Sequence, residues 1–245
     1  MLKSGPLPRY YQLKEIIREK VTSGQWLPGS LIPSERELCE QYGISRMTAR
    51  QSITELVNEG YLYREQGKGT FVAHPKITQQ LVQLTGFTED MQARSQRPTT
   101  RVLEKEMWPA DEATALKLRI KPGLPIFRVR RLRLADGEPL CIETSYLNFI
   151  GCEKLLEEDL EYNSLYKLLE TRYGMPPLEA EQELEAGLAR DEEARLLMIS
   201  PGSPVLLIRR STYTERGQPL EYAKSTYRGD KYRFYSRLNR ERGLR

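Results

Sequence analysis

A single histidine, His74, stands in a chain of 245 residues. That scarcity excludes a histidine-based catalytic triad and the common zinc ligand sets. Cys39, Cys141 and Cys152 are an odd number without pairing or metal-ligand spacing, so three reduced, structural thiols are expected and no metal site. No apolar run approaches the roughly 18 residues of a membrane span, and no charged start leads into an apolar stretch. The expectation is a cytoplasmic protein without a secretory leader, and no residue pattern implies a cofactor. Charge of one sign is also missing overall, since 38 Lys/Arg against 34 Asp/Glu leave +4. With 39% hydrophobic and 29% charged residues the composition is that of a soluble globular protein, long enough for two modest domains or one large one.

The charge is uneven along the chain. Residues 228–245 carry seven basic residues against Asp230 and Glu241, a local +5 that leaves the remainder near −1. Alternation of Tyr232, Phe234 and Leu238 with these cations predicts an edge strand with a charged outer face, although a nucleic-acid-binding tail has the same composition.

The second half contains an internal duplication. Asp111-Glu112 matches Asp191-Glu192, Pro122-Gly123 matches Pro201-Gly202, Arg130-Arg131 matches Arg209-Arg210, and Pro139-Leu140 matches Pro219-Leu220, all 79 or 80 residues apart. Each copy reads as a short helix with an acidic first turn, a Pro-Gly turn, a strand, a Gly-containing hairpin turn and a return strand. Two related hairpins predict one antiparallel sheet in an α+β domain from about 80 to 240, with a helix from Ser164 to Arg172 inserted between the copies.

The first 75 residues are of another kind. Leu13, Ile16, Ile17 and Val21 recur at helical spacing before Gly24. Ser34-Glu35-Arg36-Glu37 has capping-box form and opens a second helix that ends at Gly43. Ser45 caps a third helix running to Glu59, with Ile53, Leu56 and Val57 as its buried stripe. Strand-like runs 61–64 and 70–73 flank Gln66-Gly67-Lys68-Gly69, a tip able to take positive φ. The unit predicted is a winged helix-turn-helix. Arg46, Thr48 and Arg50 then occupy the start of a recognition helix, where an arginine fork suits guanine or phosphate, and Lys68 stands at a wing tip where a cation can approach a phosphate. A merely solvated helix face would look the same residue by residue; the combination with the wing favours DNA.

Pro33-Ser34-Glu35-Arg36-Glu37-Leu38, Ser45-Arg46-Met47-Thr48-Ala49-Arg50-Gln51 and Gly67-Lys68-Gly69-Thr70-Phe71-Val72 resemble the N-terminal signature of GntR-family bacterial transcription regulators. The rest of the chain resembles the UTRA effector domain of the HutC subfamily, whose fold is similar to that of chorismate lyase. Leu84–Met91 and Glu221–Asp230 look most like the repressors of N-acetylglucosamine utilisation. The resemblance implies a winged helix-turn-helix over 1–75 and a linker with an effector-binding, dimerising UTRA domain over 76–245. It further implies a homodimer on a palindromic double-stranded operator, contacted through Arg36, Ser45, Arg46, Thr48, Arg50 and Gly67-Lys68-Gly69. Ala49 and Ser52 stand where the family's recognition helix more usually has valine and alanine.

For the effector, period-2 alternation in Phe127–Arg133 places Phe127, Val129, Arg131 and Arg133 on one face, so an apolar patch runs into two arginines. An anion would satisfy both guanidinium groups, and so would acidic neighbours. Asn163-Ser164-Leu165-Tyr166 opens the inserted helix, where free backbone N–H groups and a hydroxyl suit an anion, although simple capping is the commoner use of such a sequence. The resemblance assigns Arg131, Arg133, Ser164 and Tyr166 to the phosphate of a glucosamine-type 6-phosphate, and Phe87, Thr88, Glu143, Glu221 and Tyr227 to its sugar. Three alternatives stay open on the residues: a regulator sensing another small anion, a DNA-binding protein without a ligand, and an enzyme of the chorismate lyase kind using Glu143 and Glu221 with Lys224 as nucleophile. No nucleophile-base-orienter set is recognisable, so an enzyme is not expected.

Overall fold

The computed structural model describes residues 7–81 and 83–238, and the chain divides into two compact units, Met1–Lys76 and Ile77–Arg245. In the first unit, helices α1 (Arg9–Thr22), α2 (Glu35–Tyr42) and α3 (Arg46–Asn58) precede the hairpin of β1 (Leu62–Glu65) and β2 (Gly69–Val72). Leu13 and Ile17 of α1, Leu38 of α2, and Ile53 and Leu56 of α3 bury their side chains together with Leu62 and Val72. The capping box at Ser34 is complete: its hydroxyl accepts from the Glu37 N–H, and the Glu37 carboxylate accepts from the Ser34 N–H at 2.7 Å. Removing the cap with Ser34→Ala should destabilise α2 by about 1 kcal/mol, a roughly fivefold loss of amide-exchange protection in that helix. Unchanged protection would show that α2 is held by packing alone. Between α2 and α3, Gly43 takes the left-handed conformation (φ 65°, ψ 44°) that turns the chain, and Ser45 caps α3.

The second unit begins with β3 (Ile77–Gln80) and α4 (Phe87–Ala93), followed by β4 (Pro98–Pro109), α5 (Glu112–Leu118), β5 (Pro125–Ala135) and β6 (Glu138–Leu147). Then come α6 (Leu165–Thr171), β7 (Glu179–Leu188), α7 (Asp191–Leu197), β8 (Pro204–Tyr213), β9 (Pro219–Arg228) and β10 (Tyr232–Tyr235). Six strands form one antiparallel sheet in the order β4-β5-β6-β9-β8-β7. This order is the duplication made visible, two three-strand copies joined back to back. Thr144 faces Lys224 across the β6–β9 seam, and these residues are 80 apart, the spacing of the repeat. A pseudo-twofold axis therefore passes between them.

The copies pack α5 and α7 on one face of the sheet, where Leu118 meets Ile126 and Tyr222 and Leu197 meets Leu132 and Ile142. The other face is covered by elements outside the duplication. There α6 packs Leu165, Leu168 and Leu169 against Phe127, Val129 and Leu147, and α4 packs Phe87 and Met91 against Cys141 and Tyr227. The basic tail forms the expected strand with Tyr232 turned inward and Arg233 outward; its partner is β3, with which Tyr232–Tyr235 pairs in parallel apart from the large sheet. Tyr232 is buried, with its ring centroid 4.7 Å from that of Tyr227, because the aromatic surface of this face needs a cover; Leu238 stays exposed. The cations beyond Leu238 lie outside the described residues. Among the described residues no helix is long and apolar enough to cross a membrane.

Candidate functional site

On α3 the buried residues Ala49, Ser52, Ile53 and Leu56 define the side turned to the core. At roughly 100° per residue the opposite side carries Met47, Arg50 and Gln51, with Arg46 beside them. Arg46 is exposed and has no partner among the described residues. Arg50 is exposed but held, its fork donating to both oxygens of Glu35 at 3.1–3.2 Å. Arg36 pairs with Glu40 at 3.1 Å, and the Thr48 hydroxyl lies 2.9 Å from that of Ser45. At the wing, Gly67 (φ 76°) and Gly69 (φ 129°) make the reversal that projects Lys68, which is exposed and 2.9 Å from Glu65. A β-carbon at Gly69 would fall 2.6 Å from Cδ1 of the exposed Leu31, which would have to shift, and the φ of 129° is strained for any residue but glycine. Ala49 and Ser52 face inward: the Ser52 hydroxyl donates to the carbonyl of Tyr10 at 2.8 Å and to that of Thr48 at 2.9 Å. These two departures from the commoner sequence act on the seat of α1, not on the exposed face. Met47, 71% exposed at the summit of the first turn, is the residue that sequence reasoning passed over.

The second unit has a cleft on the α4/α6 face of its sheet, about 560 Å³ of space between atoms with its open mouth included. Phe87, Arg131, Arg133, Glu143, Ser164, Tyr166, Glu221 and Tyr227 line it, so eight of the nine residues named for an effector come together. The ninth, Thr88, accepts a hydrogen bond from Arg133 Nη2 at 3.0 Å. Strand parity is the cause. Arg131 pairs in register with Glu143 and Arg133 with Cys141 on β6, which in turn face Ser225 and Tyr227 on β9.

Both arginines are 3% exposed. Arg131 Nη2 donates to Glu143 Oε1 at 2.5 Å, yet its Nε and Nη1, and Nε of Arg133, have no hydrogen-bond acceptor. Arg133 also lies 4.7 Å from the centroid of the Phe87 ring. Burial and the neighbouring Arg131 push the Arg133 pKa down to about 10, which still leaves it a cation at neutral pH. Burial alone would raise the Glu143 carboxyl, but Arg131, Arg133 and Arg210 outweigh it and hold it below the ordinary carboxylate range. Glu221 moves the other way, raised by burial and by the charge of Glu143. Its Oε2 accepts from the Tyr166 hydroxyl at 2.9 Å and from Thr212 at 3.3 Å. The Tyr166 hydroxyl is thus engaged with Glu221, with Arg210 beside it. Ser164 caps α6 by accepting from the Lys167 N–H at 3.4 Å.

Among the lining residues not named for the effector are Gln79 from β3, Ser225 from β9 and above all Arg210 from β8. The signal for Arg210 was present, because Arg130-Arg131 repeats as Arg209-Arg210. Lys224, the candidate nucleophile, lies on the opposite face, its Nζ 5.4 Å from the ring centroids of both Tyr146 and Tyr222. Adjacent positions on a strand point to opposite faces, so the proposed catalytic trio does not assemble. Among the described residues no cluster of metal-binding side chains occurs.

Residues 9–72 match the family model described as bacterial regulatory proteins, gntR family, and residues 93–233 match the UTRA domain. The chain is 43% identical over 238 residues to the HTH-type transcriptional repressor NagR of Bacillus subtilis, covering 97% of this chain and 98% of that one. It is 34% identical to the histidine utilization repressor of Pseudomonas putida, covering 96% and 94%. Among solved structures, PhnF from Mycobacterium smegmatis superposes with a TM-score of 0.66 at 28% identity, over 95% of this chain and 99% of that one. These relatives are regulators, not enzymes. The exposed recognition helix and glycine-tipped wing over 9–72, and the arginine-lined cleft within the UTRA match, make the chain a HutC-type transcriptional repressor of the GntR family.

Proposed function

We propose that the cleft binds a phosphorylated amino sugar, glucosamine-6-phosphate or its N-acetyl form, and that binding releases the protein from a palindromic operator controlling amino-sugar uptake and breakdown. The observation that carries this reading is the Arg131–Arg133 pair, two buried guanidinium groups with N–H donors lacking acceptors. Unsatisfied buried donors of a cation are expensive, and a phosphate dianion supplies charge and acceptors together. Phe87 and Tyr227 offer apolar faces to a sugar ring, Thr88 and Ser164 border the cleft with hydroxyls, and Glu143 accepts from sugar hydroxyl or nitrogen donors. Tyr166 acts through Glu221. In the head, Arg46 reads a base, while Arg36, Ser45, Thr48, Arg50 and the Gly67-Lys68-Gly69 tip position the duplex. The protein works in the cytoplasm as a homodimer, held by its 76–245 domain, with the 1–75 heads on two half-sites.

Thermal unfolding and operator binding of the full chain test the effector. Either 6-phosphate at a hundredfold excess over its Kd should stabilise the protein by about 2.7 kcal/mol and weaken the operator complex, and the unphosphorylated sugars should do neither. Equal shifts with phosphorylated and plain sugars would remove the role given to the arginines.

A further inference from the structure

The third cationic side chain of the cleft has no role in the reading above. Arg210 is the copy of Arg131 under the pseudo-twofold axis, and the strand order β5-β6-β9-β8 puts the two backbones three strand spacings apart, about 14 Å. The guanidinium groups therefore enter one cleft from opposite ends. Between them the floor is made of small residues, Ala223 and Ser225 of β9. Arg210 is fixed in place: Nε donates to Gln182 Oε1 at 2.8 Å and Nη1 to the Thr85 carbonyl at 3.3 Å, and the Tyr166 hydroxyl stands beside the guanidinium; of its five N–H donors two are left for a ligand. The nearby carboxylate of Glu221 already has Oε2 shared between Tyr166 and Thr212. Despite its burial, the proton affinity of Arg210 is raised by Tyr166, Tyr227 and Glu221, so it is a cation whenever the cleft is used.

In a hexose 6-phosphate the ring carbon that bears the phosphate-carrying arm lies across the ring from C2. A phosphate held by Arg131 and Arg133 thus directs the C2 substituent toward the Arg210 end. We propose that Arg210 selects the ligand's far end, accepting sugar phosphates with an acceptor oxygen on the C2 substituent, such as an N-acyl carbonyl, and rejecting a free ammonium there. This rests on the sugar-phosphate reading and sharpens it. An acyl carbonyl takes a charge-assisted hydrogen bond from the fork, whereas an ammonium at that end meets the like charge of Arg210, and the opposing attraction of Glu221 is weakened because burial and the charge of Glu143 raise its carboxyl toward the neutral form.

Titration calorimetry of the full-length protein with N-acetylglucosamine-6-phosphate, glucosamine-6-phosphate and glucose-6-phosphate decides the matter. The parent should bind the N-acetyl compound at least tenfold more tightly than the free amine. Arg210→Met, shown by thermal unfolding to be folded, should weaken the N-acetyl compound at least tenfold and leave the amine unchanged or tighter, so that the preference disappears. Equal affinity of the parent for amine and N-acetyl compound overturns the inference alone, as does an equal loss of both in Arg210→Met. Should that variant not fold, the parent's ratio still decides. Failure of all three sugar phosphates to bind overturns the reading of the cleft, and the inference with it.

Discussion

Arg133→Met is expected to give a protein that melts at a higher temperature without ligand and no longer answers to the effector. The stability gain follows from burial. Arg133 is 3% exposed, lies beside the like charge of Arg131 and has an Nε without an acceptor; its compensation is one hydrogen bond to Thr88, the face of Phe87 and the charge of Glu143, which keeps Arg131 as its direct partner when Arg133 is replaced. Replacing buried ionic groups by apolar side chains of similar volume is often neutral or stabilising by about 1–4 kcal/mol. For a unit of this size each kcal/mol moves the Tm by about 2–4 °C. The functional loss follows from the same atoms. A phosphate deprived of one charge-assisted partner in a buried site loses at least about 1.4 kcal/mol, a tenfold weaker ligand. Operator binding, which belongs to the first unit, should be unchanged, so the variant should repress whether or not effector is present. Differential scanning calorimetry and operator titrations with and without N-acetylglucosamine-6-phosphate check both halves. A lower Tm with full ligand response would mean that Arg133 is a structural cation.

That trade-off explains which parts of the molecule could be read from the sequence. Local rules carried the head: the Ser34 capping box, the left-handed Gly43 and the Ser45 cap each specify a boundary through neighbours within four residues. Period-2 parity carried the Arg131 and Arg133 face, because a strand buried on the cleft side fixes which alternate residues meet. The outer strands β4 and β7 escaped, since sequences such as Glu179–Leu188, with alternate glutamates, lack the apolar stripe that marks a strand. Their glutamates answer arginines across the ladder, as Glu185 does Arg209 at 2.9 Å and Glu104 does Arg130 at 3.2 Å. Long-range pairing likewise hid the parallel β3–β10 contact, whose strands are separated by most of the domain. Arg210 was legible through the repeat but not through its own surroundings.

Arg46→Ala should weaken binding to the specific operator by about 1–3 kcal/mol and relax the preference at the base pair it is proposed to read, with no change in thermal stability. The structure isolates the effect. Arg46 has no partner among the described residues, so its removal breaks nothing within the protein. Arg50→Ala is a poorer probe, because it also cuts the double hydrogen bond to Glu35 that ties α3 to α2. Lys68→Ala provides the contrast. Its pair with Glu65 is exposed and i,i+3 in spacing, worth little in water, and is readily exchanged for a phosphate. Losing it should weaken binding to specific and random DNA alike and lower the salt slope by about one unit. Base reading and backbone contact thus separate in one experiment, titration of both variants against operator and scrambled duplex across a salt series. If Arg46→Ala reduced both affinities in parallel and Lys68→Ala changed only the operator's, the roles assigned to helix and wing would be reversed, and if neither variant differed from the parent the DNA-reading surface would lie elsewhere on the head.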